Sequence, residues 1–482
     1  MRVLSIASEA YPFVKTGGLA DVAGALPGAL AREGVEARTL LPGYPQVLAR
    51  IKDAQVVHSY DELFGGPAQL LAVRAEGVDL FVLQAPHLFD RPGNPYLGPD
   101  GKDWPDNPLR FGAFSRVGAD IAQGAVTNFA PDVMHAHDWQ AAMSVAYLFY
   151  DFCARPGTVV TVHNLAFQGH YPKEIFPSLR LPEHALTIEG VEYFGGVGFL
   201  KAGLQLADRI TTVSPTYARE IMTPEFGMAL DGLIGSRAGI VQGILNGIDD
   251  SVWNPATDTS LAQNFSALKL DQREANRIAL QQRLGLAEDA AAPLFGVVSR
   301  LTSQKGLDLL LRVLPELVEA GGQLALLGAG EKPLEEGFAE TAKRFRGRVG
   351  CFFGYDEALA HLLQAGVDFL FVPSRFEPCG LTQLCALRYG AAPIVARVGG
   401  LADTIIDANE AALSAGVATG LQFYPPEVSE LSHALERALA IYREPATMRR
   451  LRLNGMRADV SWRGPAKHYA ALYRNLVASR AQ

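Results

Sequence analysis

The sequence has few cysteines and no long apolar run. Four cysteines, Cys153, Cys351, Cys379 and Cys385, occur in 482 residues, and no two of them form a CxxC pair. This usage argues against a structural zinc site and is typical of a reducing compartment. No apolar stretch approaches the ~20 residues that cross a bilayer. The first apolar run stops at Glu9, which favours an initial strand over a signal peptide. We therefore expect a cytoplasmic protein without a membrane partner.

The sequence also lacks an excess of positive charge. It contains 43 basic and 51 acidic residues, which gives a net charge of −8. The phosphates of nucleic acids bind to basic protein surfaces, so we do not expect nucleic acid as the main partner. The phosphate-loop spacing of ATPases, Gly-x4-Gly-Lys-Ser/Thr, is absent as well. A hydrophobic content of 49% over this length predicts two or three globular domains.

A glycine pair is the first feature that points to a ligand. Residues 15–22 read Lys-Thr-Gly-Gly-Leu-Ala-Asp-Val, and they join a strand-like run to a helical pattern over residues 19–30. Glycine permits a positive φ and a close approach of the backbone to a ligand. A helix N-terminus attracts anions, and Lys15 adds a positive charge. A tight turn without a ligand is the open alternative. The pattern recurs at Gly399-Gly400-Leu401-Ala402-Asp403.

Strands and helices alternate along both halves of the chain. Strand patterns cover residues 35–41, 132–137, 158–162 and 209–213, with a hairpin at 69–73 and 78–83 and a long loop at 86–108. The second half repeats the alternation at 294–298, 323–327, 349–353, 368–372 and 393–396. Parallel strands need crossover connections. The pattern therefore predicts an α/β fold of two Rossmann-like, doubly wound domains, residues 1–245 and 246–460, facing a central cleft. The last helix, in residues 461–482, is expected to pack back on the first domain.

Two clusters of polar residues follow predicted strands of the first half. One is His135-Ala136-His137-Asp138-Trp139 and the other is His163-Asn164. Ligands of open α/β sheets bind outside the carboxyl ends of the strands, so Asp138 and His163 are candidates for the lining of a cleft. A metal site is disfavoured because no second cluster of ligands is evident. The alternative is that these histidines serve only a structural hydrogen-bond network.

The second half carries the stronger candidates for an anion site. Arg300 and Lys305 lie five residues apart between a strand and a helix, which suits a diphosphate by charge and by helix dipole. Glu377 follows another strand and can accept hydrogen bonds from sugar hydroxyls. The backbone N–H groups from Cys379 to Thr382 can hold phosphate. The alternatives are a solvated loop for the two cations and a structural cap for Glu377.

Together, six motifs resemble those of bacterial glycogen synthases and the related plant starch synthases. They are KTGGLADV at 15–22, HAHDW at 135–139, TVHN at 161–164, NGID at 246–249, RLT-x-QKG at 300–306 and RFEPCGLT at 375–382. They occur in the order of that family and span nearly the whole chain. The one departure noted is Ser303, where an aromatic residue is common in the family.

The resemblance implies a GT-B glycosyltransferase. The implied reaction is the transfer of glucose from ADP-glucose to the non-reducing 4-hydroxyl of an α-1,4-glucan, with retention and without a metal or other cofactor. The implied catalytic residues are Glu377, His163, Asp138, Arg300 and Lys305. Donor contacts are implied for Lys15, Gly18, Asn246, Arg300, Lys305, Glu377, Cys379, Gly380, Leu381 and Thr382, and cleft contacts for Tyr96 and Trp139. The oligomeric state is left open.

Three other functions compete with this interpretation. One is another GT-B enzyme, such as a sucrose or trehalose-phosphate synthase. The second is a glucan-binding protein that has lost catalysis, and the third is a nucleotide-sugar epimerase. The KTGGLADV and HAHDW stretches disfavour the first, and the presence of Lys15, Arg300, Lys305 and Glu377 disfavours the second.

Overall fold

The computed structural model describes residues 1–151 and 155–480 and divides into two compact units. The first unit comprises Met1–Asn246 together with the segment that starts at Trp462, and the second comprises Gly247–Ser461. Cys153 and the last two residues of the predicted segment 461–482 lie outside the described residues.

The first unit contains a large sheet, a small sheet and their connecting helices. Its strands are β1 (Arg2–Ile6), β2 (Glu36–Pro42), β3 (Gln55–Tyr60), β4 (Ala68–Ala75), β5 (Val78–Gln84), β6 (Val133–His137), β7 (Gly157–Val162), β8 (His170–Pro172), β9 (Glu192–Tyr193), β10 (Gly196–Gly198), β11 (Arg209–Thr212) and β12 (Val241–Gly243). Its first helices are α1 (Gly18–Ala31), α2 (Pro45–Leu48), α3 (Pro86–Phe89), α4 (Asn107–Ala122), α5 (Asp138–Tyr150), α6 (Phe199–Leu206), α7 (Pro215–Glu220) and α8 (Asp231–Ser236).

The second unit follows the same alternation. Its strands are β13 (Leu294–Val298), β14 (Gln323–Gly328), β15 (Val349–Phe353), β16 (Phe369–Val372), β17 (Ala392–Ala396) and β18 (Leu421–Phe423). Its helices are α9 (Arg273–Leu284), α10 (Leu307–Glu319), α11 (Lys332–Arg344), α12 (Glu357–Gly366), α13 (Thr382–Tyr389), α14 (Gly399–Thr404), α15 (Glu410–Ala415), α16 (Val428–Tyr442) and α17 (Pro445–Arg457). The chain then returns to the first unit as α18 (Arg463–Arg480).

The large sheet of the first unit is parallel apart from an antiparallel arm. Its order is β12-β11-β7-β6-β1-β2-β5-β4-β3, and β3, β4 and β5 pair antiparallel at one edge. Glu76 and Gly77, with φ of 48° and 80°, join β4 to β5. Two positive-φ residues form the tight turn that suits a hairpin and is too short for a crossover. The hairpin prediction is confirmed, whereas β3, β12 and β18 escaped prediction because they are exposed or only three residues long.

Two stretches contain structure that the hydrophobic pattern does not show. Residues 170–198 contain the small antiparallel sheet β8-β10-β9. Its strands are too short to show a hydrophobic period of two. The expected loop at 86–108 begins with α3 and ends inside α4, and its middle part has an isolated bridge between Leu97 and Asp103.

The terminal helix α18 completes the core of the first unit. Tyr469, Tyr473 and Leu476 are buried against Leu26 and Leu30 of α1. The hydroxyl of Tyr473 also lies 2.8 Å from Nδ1 of His135, in the middle of β6. Packing and one polar contact therefore attach this helix to the first unit.

The sheet of the second unit is parallel throughout, in the order β15-β14-β13-β16-β17-β18. The chain moves outward from β13 in one direction and then restarts beside it at β16. Such a switch point is where open α/β sheets bind ligands, because the loops that follow the two strands diverge there. In this unit the loops concerned are 299–306 and 373–381. Across the described residues, no helix is both long and apolar enough to cross a membrane.

A buried ionic cluster attaches the first segment of the second unit to its helices. Nδ1 of His361 lies 2.6 Å from Oδ2 of Asp258, which also accepts a hydrogen bond of 2.5 Å from the hydroxyl of Tyr389. The ring of Trp253 stacks on His361 with the centroids 3.9 Å apart. Burial opposes a charge on the imidazole, but the hydrogen bond to Asp258 and the carboxylate of Glu357, 3.8 Å from Nε2, outweigh it and raise the pKa of His361 to about 9.

We expect this ion pair to make stability depend on alkaline pH. The pKa of His361 is raised on folding, so its charged form stabilises the folded state by up to about 3 kcal/mol. This contribution to the free energy of unfolding is complete below about pH 6.5 and is lost as the pH rises through about 9. The urea midpoint of His361→Gln should therefore lie below that of wild type at pH 7, and the difference should shrink at pH 10. His468→Gln, on the exposed part of α18, is the control. A difference that stays constant with pH would contradict this assignment.

Candidate active site

The loop after β1 positions Lys15 at the start of α1. Its Nζ donates to Oδ1 of Asp21 at 2.8 Å and lies 5.5 Å from the centroid of the Tyr11 ring. Neither residue of the glycine pair has the positive φ that glycine permits. Gly17 caps α1 in an extended conformation with φ of −160°, and Gly18 begins the helix. No atom lies within 4 Å of a Cβ built on Gly17, so this helix end keeps open space around its backbone.

Glu9 is the residue of this loop that the motifs did not reveal. It is 3% exposed, and its carboxylate accepts hydrogen bonds from the backbone N–H of Thr16, from Oγ1 of Thr16 at 2.6 Å and from the hydroxyl of Tyr96. Burial raises the pKa of Glu9, although the bonds from Thr16 and Tyr96 partly offset the effect. A carboxylate soon after a buried strand was the available signal, because the carboxyl ends of parallel strands form ligand sites.

The two aromatic residues predicted to line a cleft have different environments. The hydroxyl of Tyr96 contacts Glu9 and lies 2.8 Å from Oγ of Ser8, so Tyr96 joins the 86–108 segment to the loop after β1. Trp139 is only 6% exposed. Its ring packs edge-on against aromatic side chains of the core, those of Phe111, Tyr171 and Phe199. Trp139 is thus buried to the same degree as Glu377 and Asp138, and its contact with a substrate stays a prediction.

Asp138 and His163 meet at the carboxyl ends of β6 and β7. Asp138 has a φ of +55°, unusual for a residue with a side chain, and its Oδ1 accepts a 2.6 Å hydrogen bond from the backbone N–H of His163. Burial raises the pKa of Asp138 to about 7, against the lowering effect of the amides of His163 and Asn164. Strained, buried and titratable groups of this kind concentrate at functional sites.

The three histidines at 135, 137 and 163 are hydrogen-bonded in two separate groups. Nε2 of His163 lies 2.9 Å from Nδ1 of His137, while His135 bonds to Thr161 at 2.5 Å and to Tyr473. Burial, with His137 as a neighbour, lowers the pKa of His163, so its imidazole is neutral at physiological pH. His163 can thus exchange hydrogen bonds with a ligand but does not supply a cation. Within the described ranges, no group of three or more His, Cys, Asp or Glu side chains is arranged to hold a metal.

Asn246 ends the first unit and carries an unused acceptor. It is 8% exposed, and its Oδ1 has no hydrogen-bond partner among residues 1–151 and 155–480. Buried polar atoms are nearly always paired in folded proteins. An unpaired amide oxygen at this position is therefore a candidate partner for a ligand hydroxyl.

In the second unit, the switch point brings Lys305 and Glu377 together. Nζ of Lys305 lies 2.5 Å from Oε2 of Glu377, and the same oxygen accepts a 2.9 Å hydrogen bond from Oγ of Ser374. Gly306, with φ of +66°, makes this approach possible: a Cβ there would lie 1.9 Å from the carbonyl oxygen of Pro373. Oε1 of Glu377 accepts no hydrogen bond from the described part of the chain. It is available to a ligand hydroxyl.

The two arginines of this region have opposite surroundings. Arg375 makes two bonds of 2.7 Å to the carboxylate of Asp308 and donates to the carbonyl of Ser303, so it holds the two loops together. Arg300 is exposed, and its guanidinium forms no ion pair or hydrogen bond within the described residues. Of the two predicted cations, Lys305 is therefore already paired, and Arg300 remains available to an anion.

The start of α13 presents backbone donors next to Glu377. The N–H groups of Gly380, Leu381 and Thr382 have no acceptor among the described residues, as is usual where a helix begins. Gly380 has a φ of +74°, and Nε2 of Gln383 donates to the carbonyl oxygens of Cys379 and Gly380, which fixes the turn. These amides point to an anion-binding helix end.

The second glycine pair, Gly399-Gly400, packs against the turn at residues 377–379. The N–H of Gly400 donates to the carbonyl oxygens of Glu377 and Pro378 at 3.1 Å each. A Cβ on Gly400 would lie 2.3 Å from the carbonyl oxygen of Cys379. The resemblance between residues 15–22 and 397–404 is therefore local. One glycine pair opens a helix end, and the other lets a helix end pack against the Glu377 turn.

One further side chain lies at the same edge of this sheet. Tyr355 follows β15 closely and is 75% exposed, and its hydroxyl donates to Glu357. A large exposed aromatic ring beyond the carboxyl end of a parallel strand is suited to stacking on a planar group. No sequence motif surrounds Tyr355, so the sequence alone did not predict that it lies at this site.

Each unit is built on an α/β sheet with parallel strands, and the second unit places the Lys305–Glu377 pair beside an anion-binding helix end. This fold and this site define a glycosyltransferase of the GT-B fold. Residues 2–236 match the starch synthase catalytic domain model, and residues 281–454 match that of group 1 glycosyl transferases. Glycogen synthase of Rhodopseudomonas palustris (strain BisB18) is 60% identical over 480 residues, which cover 100% of this chain and 98% of that protein. The chain belongs to the glycogen synthase family.

Solved structures agree with this assignment. The catalytic domain of starch synthase IV from Arabidopsis thaliana, bound to ADP and acarbose, is similar with a TM-score of 0.89 at 33% identity, covering 99% of both chains. Sucrose-phosphate synthase from Thermosynechococcus elongatus, at 19% identity and a TM-score of 0.61 over 99% of both chains, shares the fold alone. The predicted family and the predicted GT-B fold are thus confirmed.

We expect Glu9→Gln to lower glucosyl transfer without lowering stability. A glutamine cannot accept both bonds from Thr16, so the loop that carries Lys15 loses a contact, and we expect kcat/KM to fall by about tenfold. Because burial raises the pKa of Glu9, its charge destabilises the folded state at pH 7, so the Tm of the variant should equal or exceed that of wild type. Glu174→Gln, at an exposed site, is the matched control. Activity and Tm falling together would indicate a structural role only.

Proposed function

We propose that this protein transfers glucose from ADP-glucose to the non-reducing 4-hydroxyl of an α-1,4-glucan, with retention at the anomeric carbon. The observation that carries the proposal is the Lys305–Glu377 pair of 2.5 Å. Glu377 is followed closely by the amides of Gly380, Leu381 and Thr382, which have no acceptor among the described residues. The similarity to a starch synthase domain bound to ADP supports adenine as the base.

In this proposal the cations and amides of the second unit bind the diphosphate. Negative charge grows on the departing phosphate as the glycosidic bond breaks, and fixed donors stabilise that charge more strongly than the ground state. Lys305 and Arg300 supply the charge, and the start of α13 supplies N–H donors. With these groups we expect no metal requirement. The exposed ring of Tyr355 is our candidate for stacking on the adenine.

The carboxylates serve to orient the sugar. Oε1 of Glu377 accepts from a glucose hydroxyl, while Lys305 and Ser374 hold the other oxygen. Asp138, His163 and Asn246 of the first unit offer further hydrogen bonds to the glucosyl group or the glucan. Lys15 offers a cation to the donor, and Tyr96, held by Glu9, supports the loop that carries Lys15.

Neither carboxylate is suited to attack the anomeric carbon. Glu377 is paired with Lys305, and Asp138 accepts a 2.6 Å bond from the backbone N–H of His163 and has a pKa raised to about 7 by burial. We therefore expect a same-face mechanism in which the leaving phosphate guides the acceptor hydroxyl. Mass spectrometry of the protein quenched during turnover should show no glucosyl adduct, and an adduct on either residue would refute this mechanism.

A transfer assay tests the function directly. Labelled glucose from ADP-glucose should enter glycogen, with less incorporation from UDP-glucose and none into sugar phosphates. Lys305→Gln and Glu377→Gln should each lower kcat by about 100-fold or more, because each removes a group aimed at the reacting donor. Lys332→Gln, an exposed lysine of the same unit, is the control.

The same assay separates the alternatives. Binding of glycogen without any incorporation would indicate the non-catalytic glucan-binding protein. Transfer to a sugar phosphate would indicate an enzyme of the sucrose or trehalose-phosphate synthase type. Activity without any glucan acceptor would indicate an epimerase.

A further inference from the structure

A cavity lies in the second unit, at the two strands that come after β16 in the order of the sheet. Its volume is about 340 Å³, and it lies at the carboxyl ends of β17 and β18, which Arg397 and Tyr424 directly follow. Strand ends of this kind are where parallel sheets bind ligands. The cavity is lined by Arg397, Asp407, Asn409, Gln422, Phe423, Tyr424, Glu430, His433, Ala434 and Arg437.

One wall of the cavity offers an aromatic face. Tyr424 is 52% exposed, and the guanidinium of Arg397 lies 5.7 Å from the centroid of its ring. An aromatic side chain can pack on the apolar C–H face of a sugar ring. The entropic cost is low because the aromatic side chain has few rotatable bonds. The volume is at the lower end of the range for small-molecule sites, so it suits one or two sugar rings.

Hydrogen bonds connect another part of the lining to the fold. Arg437 donates to both carboxylate oxygens of Asp407, at 2.9 and 3.0 Å, and to the carbonyl oxygen of Gln422. Asp407 also accepts a 2.7 Å bond from the backbone N–H of Gln422. These contacts attach α16 to β18 and keep the polar surface in place without a ligand.

Other side chains keep unused hydrogen-bonding capacity. Arg397, Glu430 and His433 form no side-chain hydrogen bond or ion pair within residues 1–151 and 155–480. Asn409 accepts at its Oδ1 as the cap of α15, and its amide N–H groups have no acceptor in the part of the chain that the structure describes. The cavity thus presents donors and acceptors together.

The charges of the lining discriminate between ligand classes. The two guanidinium groups of Arg397 and Arg437 are balanced by the carboxylates of Asp407 and Glu430. A phosphate would be attracted by the first pair and repelled by the second. The hydroxyls of a neutral sugar both donate and accept, so they can use guanidinium, carboxylate and amide groups at once.

We propose that this cavity is a second binding site for α-1,4-glucan, which holds one or two glucosyl residues against Tyr424. The proposal rests on the proposed function for the choice of glucan as the ligand. A glucan chain bound here would keep the many ends of the same polymer near the enzyme, which raises their effective concentration. The site takes no part in the chemical step.

Affinity electrophoresis in glycogen-containing gels, combined with kinetics, tests the proposal. Tyr424→Ala and Glu430→Gln should raise the apparent Kd for glycogen by about fivefold to tenfold. The KM for glycogen should rise with it, while kcat and the KM for maltotriose stay unchanged, because so short a chain gains nothing from a second site. Phe149→Ala, which removes another exposed aromatic ring, is the control and should bind as wild type does.

Two results would overturn the proposal. One is wild-type affinity for glycogen in both variants. The other is calorimetric binding of inorganic phosphate that Arg397→Ala abolishes, since this would make the cavity an anion site.

The experiments distinguish a failure of this proposal from a failure of the proposed function. Glycogen binding that depends on Tyr424 without any transfer refutes only the proposed function, and transfer with unchanged glycogen binding refutes only the second site.

Discussion

Parallel strands must return across the face of their sheet, and this constraint organises both units. Every strand-to-helix loop consequently emerges at the carboxyl edge. There the loops after β1, β6 and β7 carry Lys15, Asp138 and His163, and in the second unit those after β13 and β16 carry Lys305 and Glu377. Within each unit, residues that are far apart in the chain are therefore brought together at the carboxyl edge of the sheet, and the candidate site is found there.

Buried charge is costly, and each unit compensates it in a different way. Hydrogen bonds from Thr16 and Tyr96 partly offset the burial of Glu9, whereas Glu377 is paired with the cation of Lys305. Asp138 relies on backbone amides, and burial raises its pKa to about 7. A charge satisfied by a neighbouring loop also fixes that loop. Electrostatic compensation and the positioning of the ligand groups are therefore the same set of contacts.

Glycine acts here mainly through the space that it leaves. Gly306 lets the loop after β13 reach Pro373, and Gly400 lets α14 reach Cys379. Both approaches bring backbone to backbone, where no rotamer change could accommodate a Cβ. The Lys305–Glu377 pair and the anion-binding turn thus depend on two positions that contact no substrate in the proposed mechanism.

The sequence by itself determined the alternation of strands and helices, the hairpin and the motifs of the family, because hydrophobic period, turn chemistry and short motifs are local properties. It also placed Lys15, Arg300, Lys305 and Glu377 at strand ends. The tertiary structure decided which groups are paired, which are buried and which remain available. Glu9, Tyr355 and the Tyr424 cavity emerged only there, and Trp139 proved to be buried. Pairing and burial depend on segments tens to hundreds of residues apart, and no local pattern encodes those contacts.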